Sequence, residues 1–433
     1  MSEKKPHINL IIIGHVDHGK STLMGHMLFK TGALSKQEMT KLEKLAQEMD
    51  RGSFKFAYVM DRLKEERERG LTIDLAFRRF ETQKHYFTII DAPGHADFIK
   101  NMITGASQAD AAILVVSARK GEFEAGVSAG GQTREHAFLA RTLGIEQLVV
   151  AINKMDDSTP PWAQDRYEEI KAEVSDLLKG AQFDPSKVHF VPVSAWTGDH
   201  LTEASPNMEW YKGPSLLEAL DEFTLPEKPL KLPLRVPVQD VYTITGVGTV
   251  PVGRVETGQM KIGDKVVFMP PNKEGEIKTI EMHHERLDSA EPGDNIGFNV
   301  RGIGKGEIRR GDVMGHADKP PRVVQEFIGQ IIVIHHPRAL AAGYTPVMHA
   351  HTAQVAATFI EIMSKIDPRT GETVQEKPDF IKQGDSALVK LRPVTPICLE
   401  TYKDMKQLGR FAIRDSGRTV AVGIVQKITE EKK

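Results

Sequence analysis

The first stretch that could do chemistry runs from Gly14 to Ser21 and reads Gly-His-Val-Asp-His-Gly-Lys-Ser. It fits Gly-x-x-x-x-Gly-Lys-Ser, the phosphate-binding loop, in which glycines let the backbone approach a phosphate closely. Lys20 can neutralise the β- and γ-phosphates, and the Ser21 hydroxyl can ligate Mg²⁺. The apolar run 8–13 before the loop is typical of a buried strand, and residues 21–30 after it are typical of a helix. This context favours a nucleotide-binding loop over an ordinary glycine-rich turn.

Two further sites could complete a phosphate and metal centre. The sequence Asp-Ala-Pro-Gly at 91–94 ends an apolar run, so Asp91 can hold Mg²⁺ through water and the Gly94 N–H can face a γ-phosphate. His95 follows directly and is placed to orient a water for attack on phosphorus. Thr72, after a charge run that is otherwise typical of a solvated helix face, is a candidate second hydroxyl ligand for Mg²⁺. Each of these short motifs is a weak indication of a phosphate or metal site by itself, and it becomes specific only in combination with the phosphate-binding loop.

A third motif could select the base. Asn153-Lys154-Met155-Asp156 follows the apolar run 147–152. The Asp156 carboxylate can accept hydrogen bonds from N1–H and the exocyclic amine of guanine, whereas adenine would leave both acceptors unpaired. The alternative is a helix N-cap followed by a turn. Backbone N–H groups that can meet guanine O6 follow the run 188–193, at Ser194, Ala195 and Trp196.

The elements that must position these residues alternate between apolar runs and helical patterns. The candidate strands are residues 8–13, 86–90, 111–117, 147–152 and 188–193, and clear helical spacing covers 132–143 and 166–178. Such alternation predicts a mostly parallel sheet with helices on both faces. Ligands bind at the carboxyl ends of the strands in such sheets, which is where every motif above lies.

The pattern changes after residue 226. Closely spaced prolines at 226, 229, 233 and 237 predict a linker, and a second break lies at Lys319-Pro320-Pro321. Between and after these breaks, short β runs alternate with glycine turns, and candidate strands include 323–334, 349–359, 387–391 and 419–425. We therefore predict an α/β domain at 1–226 and two antiparallel β-barrels at 227–322 and 323–433.

Composition excludes several classes of protein. The chain has 433 residues, 40% of them apolar and 27% charged, and a net charge of −2, so it has no global basic signature. The single cysteine, Cys398, excludes an intramolecular disulfide and a multi-cysteine zinc site. No apolar run approaches the roughly 20 residues of a membrane span, and residues 1–6 hold no signal-peptide core. We expect a soluble, cytoplasmic protein.

The ordered set of motifs resembles the translational GTPases and, within them, the elongation factor Tu/1-alpha family. The matching stretches are residues 14–21, 69–73, 91–95, 131–136, 344–347 and 410–415. The sequence Gly-Glu-Phe-Glu-Ala-Gly at 121–126 and the long insertion between 30 and 72 resemble the archaeal and eukaryotic branch. Asp17-His18 and the lack of a long Lys-rich C-terminal tail favour the archaeal type.

The resemblance implies roles residue by residue. His95 and Lys20 would be catalytic, with Val16 and Leu71 as an apolar gate that holds His95 back. Mg²⁺ would be held by Ser21, Thr72 and Asp91. GTP or GDP would contact Asp17, His18, Gly19, Lys20, Ser21, Thr22, Thr72, Asp91, Gly94, Asn153, Lys154, Asp156, Ser194, Ala195 and Trp196. The tRNA 3′ adenosine and the amino acid would occupy a pocket of the first barrel lined by Asp240, Tyr242, Glu281, His283 and Asn295, for which ordinary barrel surface is the alternative.

The implied function is delivery of aminoacyl-tRNA to the ribosomal A site by a monomer, with hydrolysis of GTP triggered by the ribosome. The implied partners are aminoacyl-tRNA, the ribosome and a guanine-nucleotide exchange factor, with archaeal release factor and a Pelota-like protein as open alternative cargo. Other readings are a termination or rescue GTPase, the GTPase partner of a sulfate-activating enzyme, and a purely structural protein. The γ-subunit of an initiation factor would carry a cysteine zinc knuckle, which the cysteine count does not allow.

Overall fold

The computed structural model divides into two compact units, Met1–Pro226 and Glu227–Lys433. It describes residues 5–48, 56–60, 76–93, 102, 105–106, 108–128, 131–225, 228–282, 285–304, 306–334, 338–367 and 372–432. Each unit packs around apolar residues of its own.

The first unit is built on a six-stranded sheet of order β2-β3-β1-β4-β5-β6. Its strands are β1 (His7–Ile13), β2 (Ala76–Glu81), β3 (Tyr86–Asp91), β4 (Ala111–Ser117), β5 (Gln147–Asn153) and β6 (His189–Pro192). The helices are α1 (Lys20–Lys30), α2 (Lys36–Glu48), α3 (Glu122–Val127), α4 (Gln132–Leu143), α5 (Gln164–Gly180) and α6 (Leu216–Asp221). β2 pairs with β3 in antiparallel fashion and the remaining pairs are parallel, which confirms the predicted sheet. No helix in the described part of the chain combines the length and the apolar character needed to cross a bilayer.

The register of this sheet brings the predicted motifs to one edge. Ile12 of β1 lies opposite Asp91, and Ile13 lies opposite Leu114 of β4. Ser117, at the end of β4, lies opposite Asn153, at the end of β5. Parallel strands end at the same side of a sheet, so the loops that follow β1, β3, β4 and β5 share this edge.

The centre of the first unit is apolar because the inner strands are buried on both faces. β4 is fully buried along its whole length, and six of the seven residues of β1 are buried. Continuous apolar runs are the pattern expected for parallel strands covered by helices on both sides. The strand backbone is therefore held on both faces, and the loops at its carboxyl edge start from fixed positions.

The second unit contains two closed antiparallel sheets, as predicted. In the first barrel, β10-β15-β7-β8-β14-β11 close through pairing of β11 with β10. Its strands are β7 (Val236–Ile244), β8 (Gly248–Arg254), β9 (Met260–Lys261), β10 (Lys265–Met269), β11 (Lys273–Met282), β12 (Glu285–Leu287), β13 (Ser289–Ala290), β14 (Asn295–Arg301) and β15 (Val313–His316). Closure matters because it leaves none of these six strands with an open edge.

The second barrel closes in the same way, through β18-β24-β25-β16-β22-β19 and back to β18. Its strands are β16 (Val323–Val333), β17 (Leu340–Ala341), β18 (Val347–Ala350), β19 (Ala353–Ile366), β20 (Thr373–Glu376), β21 (Phe380–Ile381), β22 (Ser386–Pro393), β23 (Ile397–Cys398), β24 (Arg410–Asp415) and β25 (Arg418–Glu431). The prediction of one strand at 349–359 was wrong, since a turn at His351 separates β18 from β19.

That turn is held by the histidine itself. His351 has a φ of 43°, its Nδ1 accepts the Thr352 N–H at 2.8 Å, and its Nε2 lies 2.9 Å from the Cys398 carbonyl. Burial lowers the pKa of His351 to about 4, so the ring is neutral and donates from Nε2 to the carbonyl. Histidine is not among the usual turn residues, so no local signal of the turn is present in the sequence.

A buried ion pair connects the two barrels. Arg235, which precedes β7, lies 3.1 Å from the Glu400 carboxylate, and their side chains are 5% and 6% exposed. The same guanidinium donates to the carbonyls of Leu234, Lys319 and Pro320. A buried charge needs such a full set of partners, so this cluster fixes how the linker at 319–320 lies against both barrels.

Candidate functional site

The phosphate-binding loop begins where β1 ends, and its backbone leaves no room for side chains at two positions. Gly14 has a φ of +140°, and a Cβ there would lie 2.3 Å from the Val115 carbonyl oxygen. Gly19 has a φ of +84°, and its Cβ would lie 2.5 Å from Asn153 Nδ2. Only glycine fits such a position, which explains both fixed glycines of the motif.

Lys20 is the first residue of α1 and is buried at 7% exposure. Its ammonium donates to the His15 carbonyl at 2.7 Å, so the side chain folds back over the loop. Burial lowers the pKa of Lys20 to about 8, although the carboxylates of Asp91 and Asp17 partly oppose that shift. Within the described part of the chain no carboxylate pairs closely with this buried cation, so it is well suited to a polyphosphate, which supplies the missing negative charge.

Ser21 and Asp91 meet at the carboxyl ends of β1 and β3. The Ser21 hydroxyl donates to Asp91 Oδ2 at 2.8 Å. Hydroxyl and carboxylate oxygens are the ligands that Mg²⁺ prefers, and both lie beside the phosphate-binding loop. The residues present therefore fit a magnesium ion held between the protein and a bound phosphate.

The predicted base-reading motif, residues 153–156, is anchored to the phosphate-binding loop by Asn153. Its amide donates to the His18 carbonyl at 2.8 Å, and its Oδ1 accepts the Ala195 N–H at 2.8 Å. One side chain thus joins three loops, which follow β1, β5 and β6. The Oδ1 atom of Asp156 is buried and has no hydrogen-bond partner among the described residues. An acceptor left open at this place fits the N–H groups of guanine.

Two histidines connect the phosphate-binding loop to its neighbours. The Nδ1 atom of His136, in α4, accepts the Gly14 N–H at 3.1 Å, and burial lowers the pKa of His136 to about 3. The two ring nitrogens of His18 lie 3.1 Å from the carbonyls of Val115 and Glu122, and burial lowers the pKa of His18 to about 4. Both rings are therefore neutral packing and hydrogen-bonding groups at physiological pH.

The remaining predicted residues of the nucleotide site that the structure describes occupy this same edge. Val16 and Asp17 lie in the phosphate-binding loop, where Asp17 has a left-handed φ of 63°, and Thr22 lies in the first turn of α1. Ser194 is buried, whereas Trp196 is 48% exposed. The predicted residues Leu71, Thr72, Gly94, His95 and His283 lie outside the described residues.

Two side chains of this site carried no predicted role. The His136 ring in α4 accepts the Gly14 N–H, 122 residues away, and the Glu122 carboxylate in α3 accepts from Lys154, 32 residues away. The only available signals were the family stretches 131–136 and 121–126, which contain them.

The predicted pocket residues of the first barrel that the structure describes, Asp240, Tyr242, Glu281 and Asn295, share its outer face. In the strand register Asp240 lies opposite Val252, and Glu281 lies opposite Gly297. The Gly297 Cα faces Val252, since a Cβ there would lie 3.5 Å from Val252 Cγ1. These four residues form a row across β7, β8, β14 and β11, with a small, apolar centre and a carboxylate at each end.

Tyr242 and Asn295 border that row. Tyr242 lies opposite Val250 and is 52% exposed, and Asn295 lies opposite Arg254. Glu281 pairs with Arg286 at 3.8 Å. The result is a shallow, exposed surface with an aromatic ring, two carboxylates and an amide, which could hold a small group through stacking and hydrogen bonds.

Comparison with known families covers nearly the whole chain. The family model for the elongation factor Tu GTP binding domain matches residues 5–226, which is more than half of the chain. The model for elongation factor Tu domain 2 matches residues 248–315, and the model for the GTP-eEF1A C-terminal domain-like family matches residues 326–426.

Individual relatives agree with these matches. Elongation factor 1-alpha of Staphylothermus marinus is 61% identical over 432 residues, covering 100% of this chain and 99% of the relative. Elongation factor 1-alpha of Thermoplasma acidophilum is 60% identical over 423 residues, covering 98% of each. The solved Saccharomyces cerevisiae Ski7 GTPase-like domain, bound to GDP and inorganic phosphate, shares the fold at a TM-score of 0.80 and 18% identity, covering 98% of this chain and 97% of that one. The chain belongs to the elongation factor 1-alpha family, in its archaeal form, and is a translational GTPase.

Proposed function

We propose that this GTPase delivers aminoacyl-tRNA to the ribosomal A site in the cytoplasm and releases it when the ribosome triggers hydrolysis of GTP. The supporting observation is the outer face of the first barrel, where Asp240, Tyr242, Glu281 and Asn295 surround an apolar centre. A terminal adenosine could stack on Tyr242, and the carboxylates suit the amino group of an esterified amino acid. The protein would act as a monomer and depend on a guanine-nucleotide exchange factor.

The nucleotide site would supply positioning and charge rather than covalent chemistry. Lys20 would neutralise the β- and γ-phosphates, and Asp156 would read guanine, with contributions from the loop residues Asp17, His18, Gly19, Thr22, Asn153, Lys154, Ser194, Ala195 and Trp196. Ser21, Thr72 and Asp91 would hold Mg²⁺, which supplies charge neutralisation at the phosphates when bound.

The switch would lie in the residues that contact the γ-phosphate. Thr72 and Gly94 would be ordered by that phosphate and relax after hydrolysis. His95 would orient the attacking water, behind a gate formed by Val16 and Leu71 until the ribosome acts. The substitution His95→Ala should keep GTP affinity and lose ribosome-stimulated hydrolysis, and unchanged stimulated turnover would remove His95 from the mechanism.

Protection of the aminoacyl ester tests the cargo directly. Bound to GTP, the full chain should slow spontaneous deacylation of aminoacyl-tRNA, and bound to GDP it should not. Equal deacylation in both nucleotide forms would refute delivery of aminoacyl-tRNA. A parallel pull-down with archaeal release factor and a Pelota-like protein asks whether the GTP form also carries these proteins.

A further inference from the structure

The short helix α3 lies between the two loops that contact opposite ends of the proposed nucleotide. It follows β4 and begins with Glu122. The family stretch 121–126, which covers all but the last residue of this helix, has no proposed role in GTP binding or hydrolysis. Its contacts with both loops therefore call for an explanation.

The side chain of Glu122 contacts the base-reading motif. Its Oε2 accepts from the Lys154 ammonium at 2.8 Å and from the Ser117 hydroxyl at 2.7 Å. Burial raises the pKa of Glu122, but the hydrogen bonds from Lys154 and Ser117 outweigh burial and leave the pKa below its ordinary value. The carboxylate is therefore charged and holds Lys154, whose backbone has a left-handed φ of 63°, from one side.

The backbone of the same residue contacts the phosphate-binding loop. The Glu122 carbonyl lies 3.1 Å from His18 Nε2. One turn later, a Cβ at Gly126 would lie 2.6 Å from His18 Cε1 and 2.7 Å from Thr133 Oγ1. The helix thus packs directly on His18, two residues before Lys20.

We infer that Glu122 is a positioning residue for nucleotide binding: it fixes the distance between Lys154 of the base-reading motif and His18 of the phosphate-binding loop. The inference rests on the proposed nucleotide roles of Lys20 and Asp156. A nucleotide can use both ends of the site fully only when the two loops keep that distance. Loosening Glu122 should therefore mainly speed nucleotide release, because most affinity differences within one site reside in the dissociation rate.

The test is release of a fluorescent GDP analogue from the full chain, chased with unlabelled GDP. Loss of a charged hydrogen bond predicts about tenfold faster release from E122A than from the wild type. E122Q still reaches Lys154 with an amide oxygen, so its release should be only about threefold faster. E122D keeps the charge but is one methylene shorter, and it should release GDP faster than E122Q does.

The matched control is E124A. Glu124 lies in the same helix, accepts the Gly121 N–H that caps it, and pairs with Arg166 at 2.8 Å, but has no contact with either loop among the interactions described. This variant weakens the helix without touching Lys154, so its release rate should stay within about twofold of the wild type. Equal acceleration in E124A and E122A would overturn the inference, because helix stability would then explain both.

A double variant separates positioning from a general structural effect. If Glu122 acts through Lys154, release from E122A/K154A should be no faster than release from K154A alone. If the acceleration of GDP release in the double variant equals the product of the accelerations in E122A and K154A, the inference is overturned. If E122A does not fold, the release rate of E122Q/K154A is compared with that of K154A instead.

A nucleotide competition experiment on the wild type tests the underlying site by itself. Preference for GDP over ADP supports the proposed base-reading role whatever the Glu122 variants do. Absence of that preference would refute the base-reading role. If the preference is retained but E122A and E122D release GDP at the wild-type rate, the positioning role alone is refuted.

Discussion

The nucleotide site and the outer face of the first barrel use polar residues in opposite ways. At the sheet edge, Lys20, His18 and Asn153 are buried and each is tied to neighbouring backbone. On the barrel, Tyr242 is half-exposed and Asp240 accepts only the adjoining Val241 N–H among the hydrogen bonds described. Converging loops bring the residues of the nucleotide site together, whereas strand register alone sets the positions of the residues on the barrel face.

This difference has energetic consequences. Removing one member of a buried network leaves its partners unsatisfied, which costs about 1–3 kcal/mol per group beyond the lost bond. Removing one side chain from an exposed face leaves water in its place. We therefore expect steep effects of substitution at the sheet edge and shallow, additive effects on the barrel.

The steepest effect should come from Lys20→Ala. Loss of the buried cation that we propose faces the phosphates should weaken GDP and GTP binding by about 100- to 1000-fold, from about 3–4 kcal/mol of charge-assisted interaction. Isothermal titration calorimetry measures this, with Lys179→Ala as the control, since Lys179 is exposed and pairs with Asp176. Affinity within tenfold of the wild type would show that the site is less interdependent than its burial indicates.

Buried polar groups in the barrels should matter for stability rather than for binding, and His351→Asn isolates one. The folded pKa of His351, about 4, lies below its ordinary 6.5, so neutral His351 stabilises the fold above pH 6.5. That contribution, about 3 kcal/mol, is lost as the pH falls toward 4. Asparagine tolerates the left-handed backbone but does not titrate, so the stability difference between wild type and variant should narrow on acidification.

Hydrogen exchange at the amides of β18 and β19 measures that difference at pH 7 and pH 5. With His351 replaced, protection of these strands should change less between the two values than it does in the wild type. If the difference in protection between wild type and variant is the same at both pH values, the turn is held by its backbone alone.

Base selection should change with Asp156→Asn. An amide can donate to the position-2 oxygen of xanthine but cannot accept both guanine N–H groups, so preference should shift from GDP toward XDP by about 10- to 100-fold. Competition between the two nucleotides for one fluorescent analogue reports the ratio. The neighbouring Asp157→Asn, whose partner is Arg119 at 3.5 Å, should leave the preference unchanged.

The smallest effect should come from Tyr242→Ala on the barrel face. Loss of one stacking surface should weaken binding of aminoacyl-tRNA to the GTP form by about 3- to 10-fold, near 1 kcal/mol, and leave GTP affinity unchanged. Ile244→Ala, another exposed residue of β7, is the matched control. A loss of affinity of 100-fold or more would mean that substitutions on the barrel face have effects as steep as those at the buried site.

The sequence predicted the sheet edge well because its elements carry strong local signals. β4 was predicted with its observed bounds, and β1 and β5 each within one residue, since buried parallel strands are continuous apolar runs. The motif residues that the structure describes follow the carboxyl ends of these strands, which is where ligands bind in such sheets.

What the sequence did not predict depends on side chains that meet across long separations. Nothing near Glu122 indicates that its carboxylate faces Lys154, 32 residues later, and nothing near His136 indicates that it accepts the Gly14 N–H. The turn at His351 was missed for a related reason, because its stabilising partner is the Cys398 carbonyl on another strand. Local propensity cannot report such contacts.

The ion pair between Arg235 and Glu400 limits how parts can be exchanged among relatives. A chimera joined near residue 322 takes Arg235 from one parent and Glu400 from the other. If the second parent lacks the glutamate, Arg235 is buried without its carboxylate, at a cost of about 3–5 kcal/mol, whereas Glu400 also pairs with Arg322 at 3.4 Å. Grafting the two barrels together, with a junction near residue 227, avoids that mismatch and is the sounder way to recombine this chain with another.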